Sequence, residues 1–186
     1  MLKRCRDIRE NNNLYSSLLS QIKFVANRPI LFTRGIGSHW EYTSFNSELR
    51  YQNGSNGKFT GKQKISEYSD YGFQIFSESF QRPIFRFDAD GVVHENRNET
   101  LPILQRRVFT PHFHQYDEEG VEFAFRTLEI DENVARIQSD LDFGFACFCR
   151  EAKILMDSGG RPALSFQASL FIDAEHLDLH KGIDFE

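Results

Sequence analysis

Between Ile30 and about Ile130 the chain is a run of short segments with turn residues between them, and nothing long enough to be a crossover helix intervenes. Parallel neighbours need such crossovers, whereas antiparallel neighbours need only a turn. Strand-like segments are Ile30–Arg34, His39–Phe45, Glu48–Gln52, Tyr71–Phe80, Ile84–Asp88, Phe109–Tyr116 and Val121–Ile130, divided by Gly35-Ile36-Gly37, Asn53 to Gly57 and Ala89-Asp90-Gly91. Phe supplies 19 of the aromatic residues, against 6 Tyr and 1 Trp, which suits a pleated, half-buried surface.

Helical patterns flank this middle. Leu14, Leu18, Ile22 and Val25 share one helix face, with Asn11, Asn12 and Asn13 before it and Asn27 and Pro29 after it, and a shorter helix over Leu2–Arg9 precedes it. Ile137, Leu141, Phe145, Phe148, Ala152 and Leu155 form a second stripe, capped by Ser139 or Asp140 and ended by Gly159, Gly160 and Pro162. Alternation in Leu141, Phe143, Phe145, Cys147 and Cys149 offers a rival strand, but length and the Arg150, Glu151, Lys153 cluster favour helix. Ala163–Ile172 alternates again as a final strand. The expected architecture is α+β: a mainly antiparallel sheet with an N-terminal helix and a C-terminal helix packed on one face. Residues 1–186 read as a single domain, with a helical segment over 1–29, the sheet over 30–130, and the helix, last strand and tail over 131–186.

Three cysteines without a CxxC pair argue against a disulfide framework, and no apolar run reaches the roughly 18 residues of a membrane span. No leader peptide is read at the start, so the expectation is a cytoplasmic chain away from membranes. Charge is uneven. Residues 1–64 hold 11 Lys and Arg against 4 Asp and Glu, although the whole chain is net −5. A basic first third can steer an anion such as nucleic acid, or can be solvated surface with no partner.

The most informative stretch is Phe109 to Arg126. It reads as a hairpin about Asp117-Glu118-Glu119-Gly120, a type I turn followed by a left-handed glycine that makes a bulge. With that bulge His114 lies opposite Ala124, His112 opposite Arg126 and Phe113 opposite Phe125. Phe113, Phe123 and Phe125 then share one side; His112, His114, Tyr116, Glu122 and Arg126 share the other. A slip of one residue would mix the two sets. The strand Ile84–Asp88 sorts in the same way, with Phe85 and Phe87 on one face and Arg86 and Asp88 on the other. If it neighbours the hairpin, Arg86 and Asp88 join the histidines, and the loop after Gly91 brings His94 and Asn96 to the rim.

Two chemistries use this set. His112 and His114 can act as general base and general acid, with Tyr116 beside them and Arg86 and Arg126 steadying a phosphorane-like anion, as metal-independent RNA cleavage requires. No cofactor is needed in that scheme. Alternatively His112, His114 and Asp88 offer three ligands to Zn, Fe or Mn in a metal-dependent small-molecule enzyme. His112-x-His114-x3-Glu118 matches only the opening of the cupin pattern. The histidines can also be packing residues bonded to Arg126 and Glu122. Trp40 and Arg50 lie among aromatic and basic residues that could stack and neutralise nucleic acid. His176-x-Asp178-x-His180 has strand spacing but sits in a polar tail, and Cys147 and Cys149 cannot share a helix face. A non-enzymatic module that neutralises a cognate protein through the acidic surface is the third reading, and the oligomeric state is open.

Arg86 to Asn96, followed by Pro111-His112-Phe113-His114-Gln115-Tyr116, resembles a family of small bacterial and prophage proteins known only as a domain of unknown function. Glu48-Leu49-Arg50-Tyr51, Lys62-Gln63-Lys64 and the closing Leu170-Phe171 are also similar, so the resemblance spans roughly residues 40–172. Asn96-Arg97-Asn98 stands where that family has an Asn-Pro-Asp-Gly turn. The resemblance implies a prokaryotic, mobile-element or host–phage-conflict setting, including toxin–antitoxin systems, and assigns no catalytic residue.

Overall fold

The alternating segments pair into a mainly antiparallel sheet accompanied by helices, in a computed structural model that describes residues 4–34, 41–97 and 102–166. In chain order the elements are α1 (Arg6–Glu10), α2 (Asn12–Ser20), β1 (Lys23–Val25), β2 (Ile30–Arg34), β3 (Tyr42–Tyr51), β4 (Asn56–Lys64), β5 (Glu67–Ser77) and β6 (Pro83–Asp88). There follow β7 (His94–Glu95), α3 (Ile103–Arg106), β8 (Arg107–Val108), β9 (His112–Tyr116) and β10 (Glu122–Phe125). The chain continues through α4 (Leu128–Glu132), α5 (Val134–Ser139), α6 (Leu141–Glu151), β11 (Ile154–Met156) and β12 (Leu164–Phe166). The strand order is β10-β9-β6-β5-β4-β3-β1-β11, and β2 joins β3 to β12. Two pairings are parallel, β1 with β11 and β2 with β12. The short ribbon β7–β8 pairs apart from the large sheet.

Several expectations are corrected. The first helical stripe stops at Ser20, and Ile22 and Val25 are not on it. Lys23–Val25 is a strand instead, because its backbone pairs with β3 on one side and β11 on the other, and tertiary pairing overrides a weak helical period. The buried residues of α2 are Tyr15 and Leu18, while Leu14 is exposed. The segments read as His39–Phe45 and Glu48–Gln52 are one strand, β3, as far as the described residues show. β4 is a strand where only the turn over Asn53 to Gly57 is expected. Its glycines are there for packing: a Cβ on Gly61 would lie 2.2 Å from the Phe45 ring, and one on Gly57 2.8 Å from the Tyr51 ring. Finally, Val121–Ile130 is not one strand. It ends at Phe125, and Thr127 caps α4 by accepting from the Ile130 N–H, with Glu129 and Asp131 favourably placed in the first turn.

The C-terminal helix α6 begins at Leu141, four residues after Ile137, with the Asp140 carboxylate accepting the Phe143 N–H at 3.0 Å. Leu155 belongs to β11 rather than to the helix. Gly144 faces the Tyr71 hydroxyl so closely that a Cβ would collide with it. On the sheet, Phe59, Phe73, Phe85 and Phe87 meet the α6 rings of Phe145 and Phe148, with Phe73 centred 5.4 Å from each. Phe113 extends the layer, 5.1 Å from Phe87. Phe85 and Phe87 of β6 and Phe113 of β9 are thereby committed to aromatic packing, and Arg86, Asp88, His112 and His114, alternating with them, point to the other face. Trp40, His176, Asp178, His180, Leu170 and Phe171 lie outside the described residues. No helix among the described residues is long and apolar enough to cross a membrane.

Candidate functional site

The hairpin has the register that sorts its side chains. Ala124 pairs with His114 and Phe125 with Phe113, and Gly120 takes φ +69° with its N–H on the Asp117 carbonyl at 2.9 Å. Strand β6 lies on the other side of β9, pairing Arg86 with His114 and Asp88 with His112. Beyond that pair the ladder opens around a side chain. The Tyr15 hydroxyl accepts the Tyr116 N–H at 2.7 Å and donates to the Ile84 carbonyl at 3.2 Å, bridging groups that a continued ladder would join directly.

On the face away from the phenylalanines, Asp88, His112 and His114 offer ligand atoms that all lie within 4.8 Å of one another. Asp88 Oδ2 is 3.0 Å from His114 Nε2 and 3.8 Å from His112 Nε2. Glu122 Oε1 approaches the far side of His114, 3.6 Å from Nδ1. Arg86 lies across the group: its Nε is 3.2 Å from Asp88 Oδ2, its Nη1 3.4 Å from Glu122 Oε1, and its Nη2 3.0 and 3.2 Å from the two nitrogens of His114. A neutral imidazole has one acceptor nitrogen, so Nη2 donates to only one of the two. The Arg86 Nε makes no directed hydrogen bond despite its proximity to Asp88.

On that face the histidines are only 1% and 2% exposed, because the segment after Gly91 folds over them. His94, at the β7–β8 ribbon, sets its ring 4.8 Å from that of His114 and 6.2 Å from that of His112. Asn96 fixes this segment: its side-chain amide donates to the Ala124 carbonyl at 2.8 Å and accepts the Ala124 N–H at 2.7 Å. An open cleft of about 590 Å³ remains above the cluster, walled by Val92, Val93 and Val121 and bordered by Arg97.

Electrostatics follows from this burial. Loss of water pulls His112 down to about 4, and the neighbouring His114 adds to the effect. Burial and His114 also lower His94. Burial would raise the Asp88 carboxyl, but the His114 hydrogen bond and the Arg86 charge together outweigh it and hold it below its ordinary value. His112 is thus neutral near pH 7 beside an ionised carboxylate. Its Nδ1 has no hydrogen-bond partner, the backbone of Phe109 approaching without a directed bond. Such orphaned buried nitrogens are uncommon in folded proteins.

The structure brings together Arg86, Asp88, His94, His112 and His114, with Asn96 as their anchor. Arg126 is not among them: β10 ends before it, and its Nε pairs with Asp131 at 2.8 Å. Tyr116 turns to Arg82 and packs edge-on against Tyr15, ring centroids 6.1 Å apart. Arg50 is bound to Asp157 at 2.6 Å on β3, several strands away. Other basic residues of the first third are similarly engaged, Arg6 with Glu10 and Lys64 with Glu67. Glu122, Arg97 and the three valines were not among the expected site residues. Glu122 had a signal, since it shares the histidines' face of the hairpin; Arg97 had none beyond following Asn96.

No family model, no curated protein and no solved structure matches the chain. Its function is therefore argued from the chemistry of this cluster.

Proposed function

We propose that the chain is a metal-dependent enzyme acting on a small molecule, with a divalent ion of zinc, iron or manganese bound by Asp88, His112 and His114. The observation that carries this reading is three ligand atoms, from Asp88, His112 and His114, within 4.8 Å of one another at the floor of a cleft, with a buried, neutral His112 whose Nε2 stands 3.8 Å from an ionised carboxylate. Metal ligation requires deprotonated donors; burial keeps His112 neutral near pH 7, and Asp88 is held below its ordinary value. Ligand atoms on one ion at about 2.1 Å each sit near 3 Å apart. The Asp88–His114 pair already has that spacing, and His112 needs to close by about an ångström. Two imidazoles and one carboxylate on one side leave open positions toward the cleft. A bound ion there supplies Lewis acidity and an activated water. Glu122 stands where a carboxylate can orient the His114 ring, and His94 is a proton carrier at the rim.

Metal analysis of the purified full chain tests this. One ion per chain in the wild type, lost in His112→Ala, is the expected result. A wild type that takes up no zinc, manganese or ferrous iron overturns it.

Metal-independent nucleic-acid cleavage is the second reading, favoured by Arg86 at 3.0 Å from His114. Asp88 and Glu122 beside the rings repel a phosphodiester, and a histidine near 4 is a poor acid at neutral pH. RNA cleavage that persists in a chelator, and is lost in His114→Ala, would move the balance to this scheme. Either activity is compatible with the prophage or host–phage-conflict setting that the resemblance implies.

A further inference from the structure

We infer that, with an ion bound, the cleft takes a small organic carboxylate whose head is held by Arg86 and Arg97 and whose short apolar tail lies on Val92, Val93 and Val121. This rests on the metal reading above and specifies what that centre acts on. The argument begins with charge. Besides the imidazoles, the cleft is bordered by two arginines and three carboxylates, Asp88, Glu95 and Glu122. A divalent ion held by the cluster adds two positive charges to this set and favours an anion beside it. Anion binding is thereby tied to metal binding.

Arg86 is the moving part. Its guanidinium contacts the same Asp88 oxygen and the same His114 nitrogen that an ion would use. An incoming cation takes those atoms and repels the arginine. Released from Asp88, the Arg86 guanidinium swings away from the ion while its backbone stays on β6, and it is free to make paired hydrogen bonds to a carboxylate. Arg97 offers a second cation: it is exposed at the cleft mouth and has no ion-pair partner among the described residues. Between these charges the wall is aliphatic, and Val92 is 89% exposed, so apolar surface is available to a ligand. A cationic or purely polar ligand would waste both arginines and the valines.

The test is calorimetric titration of full-length protein, zinc- or manganese-loaded and metal-stripped, with straight-chain carboxylates from acetate to hexanoate and with amines of equal length. Carboxylates are expected to bind the loaded protein only, tightening about two- to fourfold per methylene. Arg97→Met and Arg86→Met should each weaken carboxylate binding about tenfold or more while the metal content stays at the wild-type value. Equal binding with and without metal, a preference for amines, or unchanged affinity in both arginine variants overturns the inference. Absence of metal uptake overturns it together with the metal reading; metal uptake without carboxylate selectivity overturns this inference alone.

Discussion

Among the described residues, Lys23 and the histidine pair His112 and His114 are basic side chains that are buried, and they are treated in opposite ways. Lys23 is 1% exposed, and burial pulls its ammonium down to about 7. All three of its protons are placed: Nζ donates to the carbonyls of Leu19, Gln21 and Ala152 at 3.1, 2.9 and 3.0 Å. Those carbonyls lie at the C-terminal ends of α2 and α6, where backbone acceptors go unpaired and a cation is favoured. His112 is as deeply buried, yet its Nδ1 lacks a partner and its Nε2 is 3.8 Å from the nearest carboxylate oxygen. A buried polar group whose bonding capacity is filled joins elements together. One whose capacity is unfilled, beside a cleft, has room for a ligand.

That contrast is open to direct attack. The largest effect should come from His112→Ala, which is expected to weaken zinc or manganese binding at least about 100-fold in a chelator competition, since one of three ligands is gone. The same substitution removes no hydrogen bond to Nδ1. Lys23→Met should do the reverse, leaving metal affinity unchanged while three buried carbonyls lose their donor. Urea unfolding should show a loss of about 3 kcal/mol; a loss below 1 kcal/mol would mean that the helix ends find other partners and that the ammonium is dispensable.

Acid sharpens the distinction. His112 in the folded chain is near 4 while a free imidazole is near 6.5, so between these values the unfolded state holds more protons. Stability contributed by the neutral ring is complete above about pH 6.5 and is lost as pH falls toward 4. For metal-stripped protein the expected decline is on the order of 2 kcal/mol, and His112→Ala should flatten it in that window. The smallest effect concerns Arg86. Because it occupies the ligand atoms, Arg86→Met should tighten metal binding, by about threefold to tenfold for the loss of one nearby positive charge. Weaker metal binding in that variant would mean that Arg86 positions the ligands and does not compete for them.

Legibility in the sequence divides along similar lines. The cluster was readable because period-two alternation separates Phe85, Phe87 and Phe113 from Arg86, Asp88, His112 and His114, and because Gly120 admits a single register. Local pattern sufficed there. Burial of the same histidines was not readable, as it depends on Asn96 reaching the backbone of Ala124, 28 residues away. Nor was Lys23, whose neighbours in sequence look helical and whose third acceptor is Ala152. β4 escaped for a different reason: Gly57 reads as the end of a turn, whereas it and Gly61 leave space for Tyr51 and Phe45 from the next strand. Arg126 and Tyr116 failed as site residues although they are correctly phased, because Asp131, Arg82 and Tyr15 draw them elsewhere.

The paired hydrogen bonds between Asn96 and Ala124 have an effect beyond holding a loop. β10 is the last strand on its side of the sheet, and an outermost strand invites a foreign chain to continue the ladder. Here the amide of one asparagine imitates the missing neighbour at Ala124, and a bridge from Arg4 to Val121 covers the strand's beginning. At the border nearest the cluster the backbone groups of Ala124 are thereby taken, and the carboxamide that takes them also keeps His94 over the other two imidazoles.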